Sequence, residues 1–337
     1  MKVVWIGFAG TETDEIAQGL FEICQDPLFI ITGTGSVVGM ESYHLPKHRR
    51  KIPSSIDEVY LLLKEEKPDL IFYQDYSYDI LAGRKTEETF VGSSKITEDD
   101  RWKYTGAIKI LHDAESFQPR VRTYYKSIAG RFDCVYTYNK YLLEDPIHKN
   151  TFFGLPAVSS AFLTDRPIGA RGITVSMTGS SLDKDYRRNL ASYVDSWGNE
   201  TSSKTLVSNG SHGGAPFHTY LGILWSSIVH VCSFSSPFGS LQPIHPKKKH
   251  LEAILCGAMP LIENEGIQFM HKDIPHLSFD GTREGFYSAM SIAEKASSTA
   301  KWCMEIKKAR KTVAENHLHK HNFIRLMDQL KERFGIA

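Results

Sequence analysis

The chain has 337 residues, of which 41% are hydrophobic and 23% are charged, a balance typical of a globular protein that excludes extensive disorder. Its 40 Lys and Arg residues nearly match its 39 Asp and Glu residues, which excludes the overall basic excess of proteins that bind nucleic acid non-specifically. The length favours two domains, because single hydrophobic cores rarely grow beyond roughly 250 to 300 residues.

In the first half of the chain, short β-branched and aromatic runs alternate with amphipathic stretches, a pattern that indicates parallel α/β structure. Helices are predicted at residues 13–24 and 55–66. The predicted strands cover residues 2–7, 28–32, 69–73, 107–112, 134–138 and 151–156. We assign residues 1–165 to an N-terminal Rossmann-like domain with one doubly wound sheet.

The same alternation repeats after a Pro- and Gly-containing stretch at residues 166–172, the predicted interdomain linker. The second series has predicted strands at 173–178, 204–207, 228–234, 259–262 and 276–279, and predicted helices at 186–197, 217–225, 248–256 and 282–296. Residues 172–315 are expected to form a second Rossmann-like domain, and residues 316–337 a C-terminal helix that packs back toward the first. Because ligands bind at the carboxyl ends of such strands, we expect the two domains to face each other across a cleft.

The five cysteines are widely spread and include no CxxC pair. This pattern predicts reduced thiols in a cytoplasmic protein, with neither a disulfide framework nor a zinc site. No stretch reaches the roughly 18 consecutive apolar residues that a membrane-spanning helix needs. We therefore expect no integral membrane association.

The most informative motif is PKKKHLEAILCGAMPLI, at residues 246–262. Its proline favours the start of a helix and its glycine the end. The N-terminus of a helix carries unpaired N–H groups and a positive dipole, so together with Lys247 and Lys249 it suits a diphosphate. Glu252 lies on the same helix face as Lys249 and can accept hydrogen bonds from ribose hydroxyls. The alternative interpretation is a solvated lysine run with an ordinary helix ion pair.

A second anion-binding feature is predicted where the first strand of the second half ends. Gly179 and Ser180 lie in a small-residue turn before a helix, and such a turn can form a nest of N–H groups for phosphate. Arg187 or Arg188 in that helix can reach the turn, and His218 is a further candidate for a contact with the same ligand. A plain helix cap and a surface histidine are the alternative interpretations.

The motif around Lys249 resembles the donor-site signature of GT-B glycosyltransferases, most closely that of the CgeB-like, spore-maturation group. Lysine stands at position 249 where that group usually has arginine, which keeps the charge but loses the bidentate fork. The matching positions are Lys247, Lys249, Glu252, Ala253, Cys256, Gly257 and Ala258. Weaker matches, in the expected order, lie at residues 132–137, 155–157, 175–181, 186–188 and 321–325. The resemblance covers most of residues 107–330, whereas residues 1–106 match only in fold pattern.

The resemblance implies a GT-B fold and the transfer of a sugar from a nucleoside diphosphate donor, such as a UDP-sugar, to an acceptor hydroxyl. Lys247, Lys249 and Glu252 would hold the donor, while Gly179 and Ser180 would support its phosphates. The nucleotide sugar is a co-substrate, so no cofactor is expected.

No essential metal site is expected, because enzymes of this fold neutralise the leaving diphosphate with cations and helix dipoles. Asp183 and Asp185 form a DxD pattern, but in a predicted turn where a capping role is the simpler explanation. His317, His319 and His321 alternate, yet residues two apart do not share a helix face.

His112 and Asp113 are the candidates for a catalytic base, because they lie at the carboxyl end of a predicted first-domain strand. An inverting transferase needs a carboxylate or imidazole to remove the acceptor hydroxyl proton, whereas a retaining one can dispense with it. The alternative interpretation is that these polar residues merely end a strand.

Two other functions stay open, a catalytically degenerate binding or assembly module and a nucleotide-dependent dehydrogenase. The turn at residues 7–10 lacks GxGxxG, and the closer match at 33–39 leads into a polar, proline-containing stretch rather than a helix. The resemblance implies a glycan or protein acceptor, while related phage folds modify DNA bases. Residues 47–51 and 120–126 offer basic and aromatic groups that suit a polyanion, although solvated loop charge is the commoner meaning.

Overall fold

The protein is described by a computed structural model, in which the chain divides into two compact units. The first unit is Met1–Leu155 with His319–Ala337, and the second is Pro156–Leu318. The first crossing thus comes before the predicted boundary at residue 165, and the chain returns to the first unit at His319. The structure describes residues 1–9, 16, 18–34, 49–74, 88–89, 93–113, 119–138, 145–163, 171–179, 185–209, 217–233 and 248–336.

Most described helices lie close to predicted ones, but those at 93–98 and 119–128 were not predicted, and the predicted helix at 13–24 lies partly outside the described residues. They are α1 (Ile56–Glu66), α2 (Ser93–Glu98), α3 (Pro119–Ile128), α4 (Asp185–Thr201), α5 (Phe217–Ser226), α6 (Lys249–Leu255), α7 (Arg283–Ser297), α8 (Ala300–Asn316) and α9 (His319–Phe334). None of the helices in these parts of the chain combines the length and apolar character needed to cross a bilayer.

Local chemistry explains the ends of α1. Ser55 is the N-cap, and its hydroxyl accepts a hydrogen bond from the Glu58 backbone N–H. The Glu58 carboxylate in turn accepts from the Ser54 backbone N–H at 2.7 Å. Lys67 ends the helix in the left-handed conformation, and its N–H donates to the Leu63 carbonyl.

The first unit contains a sheet that is parallel except for one short strand. Its strands are β1 (Val3–Ala9), β2 (Leu28–Thr34), β3 (Arg50–Lys51), β4 (Leu70–Tyr73), β5 (Glu88–Thr89), β6 (Ile108–Asp113), β7 (Cys134–Thr137) and β8 (Thr151–Phe153). The order is β3-β2-β1-β4-β6-β7-β8, and β5 pairs antiparallel with β2. The two-residue strands β3 and β5 were not predicted, because such short edge pieces carry no periodic signal.

Both faces of this sheet are covered, which explains why its central strands are apolar throughout. Val4 and Ile6 face a core that includes residues of α1, whereas Val3 and Trp5 face a second core. Helix α9 supplies Phe323 and its apolar neighbours to that second core. The C-terminal helix is therefore an integral layer of the first unit.

The second unit has a five-stranded sheet in which every neighbouring pair is parallel. Its strands are β9 (Ile173–Gly179), β10 (Thr205–Asn209), β11 (Ser227–Val231), β12 (Met259–Glu263) and β13 (Leu277–Phe279). The order is β10-β9-β11-β12-β13, so β11 lies between the strands that end at Gly179 and Glu263. Their carboxyl ends meet at one edge of the sheet.

Replacing Phe323 by alanine is expected to lower the free energy of unfolding by about 3–5 kcal/mol, because its buried ring packs on Phe72 and Tyr136. Ile324 on the same helix is 45% exposed, so Ile324→Ala is the matched control, with an expected loss below about 1 kcal/mol. Equilibrium urea unfolding measures both, and equal losses would contradict the assigned packing of α9.

Candidate functional site

Charged and polar side chains collect at the carboxyl edge of the second sheet, the place where ligands bind in open α/β sheets. Strands β9 and β12 end there, and α6 begins beside them. We call this group the edge site. It consists of Arg187, Tyr220, His230, Lys248, Lys249 and Glu252.

Lys249 ties the first turn of α6 to the end of β9. Its Nζ donates a hydrogen bond of 2.7 Å to the Thr178 carbonyl. Burial lowers the pKa of Lys249, the Glu252 carboxylate raises it, and the charges of Arg187 and Lys248 lower it again. These side chains therefore form one electrostatic group. Because α6 has only seven residues, their charges rather than its dipole dominate the site.

The Glu252 carboxylate is buried, with the residue only 3% exposed. The Tyr220 hydroxyl donates to its Oε2 at 2.5 Å, and Lys248 Nζ lies 3.8 Å from its Oε1. Burial raises the pKa of Tyr220 well above its usual value, and the Glu252 charge raises it further. Tyr220 therefore stays protonated and keeps donating to the carboxylate.

The structure distinguishes the two adjacent arginines of α4. Arg187 is buried, whereas Arg188 is exposed. Burial lowers the pKa of the Arg187 guanidinium, and the nearby Glu263 carboxylate raises it. Glu263 is itself buried at the end of β12, so Arg187 points toward the edge where Lys249 lies.

His230 on β11 belongs to the edge site, although it was not a candidate site residue in the sequence. Ser227 Oγ lies 2.6 Å from the Ile223 carbonyl, which can only accept, so this hydroxyl donates to it. Ser227 Oγ also lies 2.7 Å from Ser176 Oγ, and Ser176 Oγ lies 2.8 Å from His230 Nδ1. His230 Nε2 lies 3.4 Å from Thr178 Oγ1, so both ring nitrogens have a hydroxyl partner.

Four further residues were predicted to contact the donor, and the structure describes only two of them. Gly179 is the last residue of β9. His218 lies in the first turn of α5, but its side chain is outside the described residues. Ser180 and Lys247 also lie outside them.

His112 and Asp113 belong to the first unit and are fully buried. The His112 ring packs against aromatic rings, with centroid distances of 5.2 Å to Trp5 and 5.6 Å to Tyr138. Burial lowers the pKa of His112 to about 3, with a further lowering by the charge of His319. Asp113 accepts a hydrogen bond of 2.8 Å from Thr137 Oγ1. In this state neither side chain reaches solvent.

No protein-family model matches this sequence, and no curated protein matches it. Among solved structures, an alpha-glucosyltransferase in complex with UDP and a 13-mer DNA with a central A:G mismatch superimposes with a TM-score of 0.67 and 10% identity, over 98% of this chain and 100% of that one. A glycosyltransferase from Rickettsia africae superimposes with a TM-score of 0.59 and 12% identity, over 100% of this chain and 99% of that one.

A UDP-N-acetylglucosamine 2-epimerase also superimposes, with a TM-score of 0.53 and 12% identity, over 99% of this chain and 96% of that one. The two parallel-sheet units and these superpositions show that the chain has the fold of GT-B glycosyltransferases. At such low identity the likeness establishes the fold alone.

Burial, with a smaller contribution from the Lys249 charge, lowers the pKa of His230 to about 3 from its ordinary value of 6.5. The ring is therefore expected to stay neutral between pH 5 and 8. Its contribution to stability is present above pH 6.5 and is lost as the pH falls toward 3, because the unfolded chain protonates first. Nitrogen-15 NMR of the histidine rings should show a neutral, non-titrating ring that is absent from His230→Gln. A titration near pH 6.5 would contradict this.

Proposed function

We propose that this protein transfers a sugar from a nucleoside diphosphate donor to an acceptor hydroxyl. The observation that carries the proposal is the edge site, in which basic side chains and the buried Glu252 carboxylate lie at the carboxyl edge of the second parallel sheet. The sequence resemblance to the CgeB-like group supports the same assignment, because its donor motif contains Lys249 and Glu252.

The edge site suits a diphosphate on electrostatic grounds. Burial lowers the pKa of both Arg187 and Lys249, because a low-dielectric environment disfavours their charged forms. A diphosphate bound beside them would stabilise these charged forms through charge-assisted hydrogen bonds. The same cations would stabilise the charge that develops on the departing diphosphate, so that transfer would need no added Mg²⁺ or Mn²⁺.

Glu252 is proposed to accept hydrogen bonds from the donor ribose. Its carboxylate is held in one orientation by Tyr220, whose hydroxyl lies 2.5 Å away. The contact with Lys248 is longer, at 3.8 Å. Gly179, Ser180, His218 and Lys247 are proposed to complete the phosphate and sugar contacts.

The first unit is proposed to bind the acceptor, a glycan, a protein or a modified DNA base. UDP-sugars and DNA deserve early tests, because the structural neighbour with a TM-score of 0.67 was solved with both UDP and DNA. Asp113 is proposed as the base, assisted by His112. Thr137 holds the Asp113 carboxylate at the carboxyl end of β6.

The alternative is a binding or assembly module that keeps the donor site but lacks catalysis. The complete burial of His112 and Asp113 is the observation that favours it. Both proposals predict nucleotide-sugar binding, and only the first predicts transfer.

Calorimetric titration with UDP-, GDP-, ADP- and dTDP-sugars is expected to show selective binding of one donor class. Arg187→Ala should weaken that binding about 10- to 100-fold, because a buried charge-assisted contact is lost. Arg188→Ala is the matched control and should bind like the wild type, since this neighbour is exposed. Glu252→Gln keeps the size of the side chain and should also bind more weakly. Equal effects of the two arginine variants, or no binding of any donor, would contradict the proposed donor site.

With the donor identified, transfer is measured to oligosaccharides, peptides and duplex DNA with hydroxylated bases. Asp113→Asn should lower kcat about 10²- to 10⁴-fold, because the base is lost. The donor Kd should not change, since Asp113 and the edge site belong to different units. Asp133→Asn, which removes a partly exposed carboxylate of the same unit, is the control. Wild-type transfer by Asp113→Asn would exclude Asp113 as the base, and donor binding without transfer to any acceptor would favour the binding module.

A further inference from the structure

A cluster of two imidazoles and one carboxylate lies in the second unit, and none of the proposed transfer steps uses it. One ligand atom from each of His271, Asp273 and His317 lies within 4.8 Å of the others. His317 Nε2 is 3.0 Å from Asp273 Oδ2, and the two histidine rings have centroids 3.9 Å apart. We call this group the His–Asp cluster.

The chain positions His317 through its backbone. Helix α8 ends at Asn316 and α9 begins at His319, so His317 occupies the break between them. Its N–H donates to Val313 at 2.9 Å, and its carbonyl accepts from Val158 at 3.1 Å. These two bonds fix the backbone of His317. The alternating histidines do not share a helix face, as expected, but His317 meets partners more than forty residues earlier in the chain.

His271 already has the hydrogen bond that is typical of a metal ligand. Its Nε2 lies 2.9 Å from the Pro156 carbonyl, and a carbonyl can only accept, so Nε2 carries the proton. In a neutral ring Nδ1 then bears the lone pair. A ligating histidine usually donates its other N–H to a backbone carbonyl or carboxylate, which fixes the ring and raises its basicity.

His317 is not satisfied by the protein alone. The side chain is 8% exposed, and its Nδ1 is buried without a hydrogen-bond partner in the part of the chain that the structure describes. Whichever nitrogen carries the proton, the neutral ring keeps one unfilled position. Buried polar groups normally find a partner, because leaving one unpaired is costly.

We propose that the His–Asp cluster binds a divalent transition metal, with Zn²⁺ the best fit. Imidazole nitrogens favour Zn²⁺ over Mg²⁺ and Ca²⁺, which prefer oxygen ligands. Ligand atoms bound about 2.0–2.1 Å from a tetrahedral zinc lie about 3.4 Å from one another. The cluster therefore needs only a small contraction, which the exposed Asp273 side chain can supply. Three protein ligands leave the fourth position to water.

The metal would have a structural role beside both chain crossings. His271 is hydrogen-bonded to Pro156, the first residue of the second unit, and His317 precedes its last residue, Leu318. The His271 ring also lies 5.9 Å from that of His250, which follows Lys249 on α6. Metal binding would thus fix the segment around His271, whose ring contacts helix α6 of the edge site. The proposal does not depend on glycosyl transfer.

The test uses the untagged full chain, stripped of metal by a chelator and titrated with Zn²⁺ against a chromophoric competitor. We expect about one equivalent of bound Zn²⁺, with no competition from Mg²⁺. His271→Gln can still donate to Pro156, and Asp273→Asn can still pair with His317, so both variants should fold. Each should weaken zinc binding about tenfold or more. His276→Ala removes a nearby histidine outside the cluster and is the control.

A second readout is the melting temperature. Zn²⁺ should raise the Tm of the wild type and of His276→Ala, and should raise that of His271→Gln and Asp273→Asn clearly less, because stabilisation by a ligand depends on its affinity for the folded state. Binding of less than about half an equivalent by the wild type would overturn the proposal, since a built site of three ligands fills completely. Wild-type affinity in either cluster variant would also overturn it.

Discussion

The edge site depends on positively charged side chains that lie in a low-dielectric environment, at the ends of parallel strands. Arg187 and Lys249 both have pKa values lowered chiefly by burial, so their charged forms need nearby negative groups. The protein supplies Glu263 and Glu252 for this purpose. Strand order determines the arrangement, because β11 lies between β9 and β12 and brings their ends to the same edge.

A neutral hydrogen-bonded network supports these charged side chains. His230, Ser176 and Ser227 form a chain that links β11 to β9 and ends on a carbonyl of α5. The chain holds the end of β9, where the Thr178 carbonyl accepts from Lys249. Because His230 stays neutral, it adds no further positive charge to the site. The neutral network thus fixes the position of the end of β9, whereas other residues carry the charge of the site.

The fold by itself does not select a reaction. An alpha-glucosyltransferase and an epimerase both superimpose on this chain, so the chemistry must come from the side chains at the strand ends. The first unit differs from the second in this respect. Its strand-end residues His112 and Asp113 are enclosed by aromatic and hydroxyl groups, whereas the second unit collects cations.

The sequence alone determined the two parallel α/β halves and most helix and strand positions, and it predicted Lys249 and Glu252 as site residues. These follow from periodicity and end signals that act within a few neighbouring residues. Only the tertiary structure decided that Arg187 rather than Arg188 is buried, and that Tyr220 holds Glu252. It also revealed the network of His230 and the His–Asp cluster. Such contacts join residues far apart in the chain, and packing, not local propensity, brings them together.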